Sequence, residues 1–248
     1  MKVITSIFSK IMWGSLAVAN ISTASALNMP AGNWYLKLHG GAGWYSEGRD
    51  QTLNYGQGDF DRFTNKGGDR EIVLLYGLGG GYSFDMSNQG RMDVGIGWYG
   101  DCEHEYKGYI DQYAKTSLRD FEYKYKVQTQ RVVLEGSWSF PFYQQLEGFV
   151  TGGIGMSWNK FSNYSTNKLD PKEESPKPQF NKNTNSAFAW QLGTGVSWAF
   201  TPQWRASVFY LYANNGKAEA SSNAPFSNKY ETDDITSHDL MFSLNYQF

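Results

Sequence analysis

Ser237-His238-Asp239 holds the side-chain types of an acyl-transfer triad: a hydroxyl to attack, an imidazole to take its proton and a carboxylate to orient the ring. That chemistry needs all three groups in mutual reach. In a strand, neighbouring residues point to opposite faces, so His238 shares a side with neither Ser237 nor Asp239. His39 has Gly41, not a hydroxyl, two residues later. His104 lies in Asp101-Cys102-Glu103-His104-Glu105-Tyr106, where acids and a thiol suggest a metal cluster, but the spacing fits no zinc pattern and a solvated loop is expected. The acids of the 56–63 stretch, Gly-Gln-Gly-Asp-Phe-Asp-Arg-Phe, lack the Asp-x-Asp-Gly arrangement of a calcium loop. The expectation is therefore no catalytic residue, no metal, no cofactor and no enzymatic activity.

The elements carrying these residues alternate with a period of two, which marks half-buried strands. Trp34, Leu36, Leu38, Ala42 and Trp44 oppose Lys37 and His39; Ile72, Leu74, Tyr76, Leu78, Tyr82 and Phe84 oppose Glu71 and glycines. Met92, Val94, Ile96 and Trp98 oppose Arg91, Asp93 and Gly95. A long strand over about 121–140 sets Phe121, Tyr123, Tyr125 and Val127 on one parity and Val132, Leu134, Trp138 and Phe140 on the other, which predicts a bulge near Gln128 to Arg131. Further strands carry Val150 to Trp158, Phe188 to Phe200, Trp204 to Tyr212 and Leu240 to Phe248 on their apolar faces. Eight strands are predicted, the even number of a single-chain transmembrane barrel.

The connections support closure. Short turns at 85–90, 141–147 and 201–203 alternate with long loops at about 46–69, 100–120, 160–186 and 213–236, so all long loops fall at one end. The loop carrying Asp-Pro-Lys-Glu-Glu-Ser-Pro-Lys-Pro-Gln cannot bury a core and reads as a solvated surface segment. Aromatic residues are 17% of the chain and Gly numbers 27, yet the mean hydropathy is −0.54. That combination suits a barrel with an apolar outside, a polar inside and aromatic girdles. A lipocalin-type soluble barrel would turn its apolar face inward instead.

Residues 1–26 read as a secretory signal peptide: Lys2 and Lys10, an apolar run from Ile11 to Ala19, and the small-residue site Ala24-Ser25-Ala26. Residues 27–248 then form the barrel domain, and losing both lysines takes the basic count from 22 to 20 against 24 acids. Nothing in this balance points to nucleic acid. The single cysteine, Cys102, excludes an internal disulfide framework.

The 191–212 stretch, Gln-Leu-Gly-Thr-Gly-Val-Ser-Trp-Ala-Phe-Thr-Pro-Gln-Trp-Arg-Ala-Ser-Val-Phe-Tyr-Leu-Tyr, with a last strand ending in Phe248, resembles the eight-stranded outer-membrane barrels that include the OmpA transmembrane domain and the opacity-type surface proteins. The resemblance implies an all-β, eight-stranded antiparallel up-and-down barrel in the outer membrane of a Gram-negative bacterium. It also implies that Tyr246 and Phe248 mark the last strand for the barrel-assembly machinery. The OmpA proteins carry a peptidoglycan-binding domain after the barrel, and that role is not expected of a sequence ending at Phe248.

Within such a barrel the inward charges should pair, because a lone ion in a narrow lumen loses hydration without compensation. Lys37, Asp93 and Glu135 are predicted at similar heights, with Arg91 and Arg205 just below and Arg131 and Asp239 together higher up. The expected role is structural or adhesive, with extracellular loops meeting lipopolysaccharide or a host or cell-surface ligand; the alternative is a narrow channel for small solutes or ions.

Overall fold

The computed structural model describes residues 32–46, 48–56, 59–66, 72–86, 90–169, 179–221 and 230–248. The signal-peptide reading, Glu71 and the Asp-Pro-Lys-Glu-Glu segment lie outside them. Eleven strands form one antiparallel sheet: β1 (Gly32–Tyr45), β2 (Gln51–Gly56), β3 (Asp59–Asn65), β4 (Ile72–Asp85), β5 (Arg91–Asp101), β6 (His104–Gln112), β7 (Arg119–Tyr143), β8 (Leu146–Lys168), β9 (Asn183–Ala199), β10 (Trp204–Asn214) and β11 (Thr236–Gln247).

Eight of them close a ring in the order β1-β4-β5-β7-β8-β9-β10-β11, and β11 returns to β1 from Tyr35↔Gln247 to Tyr45↔Ser237. These are the eight strands read from the alternation. Their outward rows are exposed, with Leu36, Leu38, Leu74, Ile96, Leu134, Ile154, Leu192 and Phe242 all accessible. Trp34, Trp138, Trp198 and Trp204 lie at the end carrying the short turns, and Trp44, Trp98, Trp158 and Trp190 lie at the other. Indole rings with one polar edge settle at such interfaces. No helix among the described residues is long and apolar enough to cross a membrane.

The first two long connections are not plain loops. β2, β3 and β6 add edge to edge onto the upper part of β7, giving β2-β3-β6-β7-β8 beyond the ring. Their inner face buries Leu53, Phe63, Ile110, Phe121, Tyr123, Tyr125, Val127, Phe161, Phe180 and Tyr230 in one aromatic core.

That core corrects the bulge prediction. On β7 the odd residues face inward without a break from Phe121 to Ser139, through Thr129 and Arg131. The apolar pattern changes parity because the surroundings invert: within the membrane the inner face is polar and the outer apolar, whereas above it the inner face is the apolar core. The backbone irregularity is on the partner strand, where Lys124↔Ser165 and Lys126↔Ser162 leave Asn163 and Tyr164 opposite Tyr125. Asn163 takes φ of 53°, a left-handed conformation that Asn tolerates well, and the slip brings Tyr164 round to meet Phe180.

Candidate functional site

The lumen is filled in two tiers. In the lower one, near the short turns, Asp93 accepts hydrogen bonds from Ser83 Oγ (2.7 Å) and Arg91 Nε (2.9 Å), and Lys37 Nζ stands 3.5 Å away. Glu147 lies between two guanidiniums, 3.2 Å from Arg91 Nη1 and 3.4 Å from Arg205 Nε. Glu147 falls in a predicted turn and was not expected as a lumen charge. β8 begins at Leu146, so its second residue already points inside, a shift of a residue or two that turn signals cannot resolve.

The upper tier centres on Arg131, which is 2% exposed. Its Nε donates to Gln191 (3.0 Å) and its Nη1 to Asn215 (3.3 Å), Nη2 lies 3.7 Å from Asp239, and the guanidinium sits 4.7 Å from the centre of the Tyr99 ring. The structure thus brings Arg131 and Asp239 together. Glu135 does not join Lys37 and Asp93: it accepts from Tyr99 Oη (2.8 Å) and Gln191 Nε2 (3.3 Å). Glu135 faces Gly95, and Asp93 faces Ser137 one inward step lower, which places Glu135 with the upper tier. Gly97 makes room there; a Cβ on it would lie 2.8 Å from both Glu135 Oε2 and the Tyr99 ring. Between the tiers, His39 stacks on Tyr99 at 5.1 Å, and the cavity that runs from the lower tier up to His39, Tyr99 and Glu135 is about 40 Å³.

Above the tiers, Tyr45 donates to Asp101 (2.6 Å), and His104 stacks on Tyr45 at 4.4 Å. His104 is buried, which corrects its expected place in a solvated loop, and the desolvation pushes its pKa down to about 4. Asn159, expected to begin a loop, donates from Nδ2 to the carbonyls of Asn215 (2.7 Å) and Lys217 (3.0 Å). Asn185 Nδ2 also reaches Lys217 O (2.8 Å), so side-chain amides hold the chain after β10 over the lumen on one side while backbone bonds to Tyr230, Thr232 and Ile235 hold it on the other.

The tempting triad is separated as its alternation predicts. Ser237 Oγ donates to Asp239 (3.1 Å) inside, while His238 faces outward with Nδ1 against Tyr210 Oη at 2.5 Å. Among the described residues no three His, Cys, Asp or Glu side chains gather as a metal site. Of the 56–63 acids, Asp59 contacts Tyr113 Oη at 3.4 Å; the nearby Asp50 pairs with Arg62 at 2.9 Å. Tyr246 packs outward on Trp204 (4.9 Å) and Phe248 (5.1 Å), and the Phe248 amide donates to Trp34 O.

A closed antiparallel ring with lipid-compatible outer rows, aromatic belts at both ends and a charge-paired interior defines an outer-membrane β-barrel. The chain belongs to the outer membrane protein beta-barrel domain family, which it matches over residues 15–248, and its place is the outer membrane. No curated protein matches it in sequence. Among solved structures it is similar to outer membrane protein OprG from Pseudomonas aeruginosa (11% identity, 88% of this chain and 99% of that one, TM-score 0.47) and to Neisserial surface protein A (11%, 87% and 97%, TM-score 0.45). It is also similar to outer membrane protease OmpT from Escherichia coli (10%, 90% and 100%, TM-score 0.43).

Proposed function

We propose that this protein is a closed, non-enzymatic surface barrel that holds a rigid β-extension outside the cell as an interaction platform. The observation that carries the reading is the double filling of the axis: the Arg131 tier lies across the lumen, and the Phe63–Tyr125–Tyr230 core lies above it. The cavity of about 40 Å³ that runs from the lower tier up to His39 and Glu135 has room for water and not for a column of solute. Eight strands enclose little more than their own side chains. A narrow channel, the second reading, requires both the Arg131 tier and the aromatic core to move from the axis. The same proposal takes the outward Tyr246 and Phe248 as the mark read by the assembly machinery.

Recording from the refolded protein in a planar bilayer tests the closed state. The expected trace is flat. Reproducible unitary steps that change in size when Arg131 or Glu135 is neutralised would establish the channel instead.

A further inference from the structure

On the outside of the β6–β7–β8 extension, the rows that face lipid lower down become lysine. β8 runs Ile154, Met156, Trp158, then Lys160; β7 runs upward Leu134, Val132, Gln130, Gln128, then Lys126 and Lys124. Lys107 on β6 stands directly opposite Lys124, and Lys66, just after β3, donates its backbone amide to Lys107 O. Two like charges facing each other across a strand pair destabilise a sheet.

The acids nearby do not remove the repulsion. Glu122 pairs with Lys66 (3.3 Å), Glu105 with Lys107 (3.3 Å), and Glu103 is shared between Lys160 (3.3 Å) and Lys126 (3.9 Å). Lys124 is exposed and makes no ion pair with any described residue. Beside it is a cleft of about 300 Å³ lined by Lys66, Lys107, Glu122, Tyr123, Lys124 and Asn167.

We propose that this lysine stripe binds the phosphates of lipopolysaccharide in the surrounding outer leaflet, with the Lys107–Lys124 cleft taking one of them. Position selects this occupant over a soluble anion. Lys160 is two residues beyond the girdle residue Trp158, about 7 Å along the strand, where the headgroup layer begins. Lys124 is six residues above Gln130, the partner of Trp158, or about 20 Å along the strand and about 15 Å along the axis for a tilt near 40°. The lower lysines are thus level with phosphates on the lipid A sugars, and the cleft is level with those on the core sugars above. A bridging phosphate converts the Lys107–Lys124 repulsion into two charge-assisted contacts. The inference does not depend on whether the lumen conducts.

The test is binding of fluorescently labelled lipopolysaccharide to the full chain in detergent, read by anisotropy, with heat-dependent gel mobility as the check on folding. Each surface lysine facing an anionic leaflet is worth roughly fivefold, so K107Q/K124Q should bind about 25-fold more weakly. K107R/K124R should bind like the wild type, and dephosphorylated lipopolysaccharide should bind the wild type more poorly than the intact form binds K107Q/K124Q, because it also loses the lower lysines' contacts. Equal affinity of folded wild type and K107Q/K124Q overturns the proposal. So does lysine-dependent binding of heparin without a preference for lipopolysaccharide, which would assign the stripe to a soluble polyanion, or full competition by inorganic phosphate alone. Should the double variant not fold, K124Q serves, because Lys124 has no described ion pair to lose.

Discussion

Arg131→Met removes one cation from the middle of the barrel and leaves its partner. The guanidinium loses hydrogen bonds to Gln191 and Asn215 and its place over Tyr99, and Asp239 keeps only the Ser237 hydroxyl at 3.1 Å. Breaking one side of a buried ion pair costs about 3–5 kcal/mol, because the remaining charge is left without compensation. The partial pairing at 3.7 Å argues for the lower half of that range, about 3–4 kcal/mol. Asp239→Asn alone should cost about as much, while R131M/D239N should cost less than the two added together, since neither charge is left alone; a coupling of about 2 kcal/mol is expected. Urea unfolding and refolding in lipid vesicles, followed by tryptophan fluorescence, measures all four corners of the cycle. Costs that add within about 0.5 kcal/mol would mean that Arg131 and Asp239 do not stabilise each other, and the tiered account of the lumen would fail.

Tyr230→Ala should cost about 3–5 kcal/mol locally, because its ring packs on Phe63, Phe180 and Tyr125 in the core above the membrane. Limited proteolysis should then cut the extension faster while the folded barrel keeps its gel mobility; loss of both together would show that ring and extension are one cooperative unit. His104 gives a pH dependence. Its folded pKa of about 4 is below the ordinary 6.5, so the unfolded chain takes up the proton first, and stability present above about pH 6.5 is lost as the pH falls toward 4. His104's share of that loss should be on the order of 3 kcal/mol, read as the difference between the wild type and His104→Gln in urea midpoints across that range.

The eight crossing strands were legible because lipid outside and a mostly polar lumen inside impose the same alternation on each. The three added strands were not. β2 and β3 contain Gly and Asp at positions that read as turns, and β6 begins in a charged stretch whose His104 is nonetheless buried. Alternation itself misled at β7, since a parity change in apolar residues follows either from an extra residue or from crossing out of the membrane, and here the second holds while the extra residue sits at Asn163. Lys37 with Asp93 and Arg131 with Asp239, put at matching heights from the alternation, stand 3.5 Å and 3.7 Å apart. Glu135 was misplaced by one inward step, and Glu147 and Asn159 were hidden by strand ends drawn too short.

The partners of Arg131 bear on how the ring comes to close. Arg131 is on β7, but Gln191, Asn215 and Asp239 lie far along the chain, on β9, just after β10 and on β11. An unfinished sheet ending at β8 would carry a guanidinium with none of those three in place. Asp239 stands on β11, the strand that also pairs with β1. The buried arginine is therefore fully partnered only where β9, β10 and β11 have all joined the sheet, which ties the charge in the lumen to the completeness of the ring.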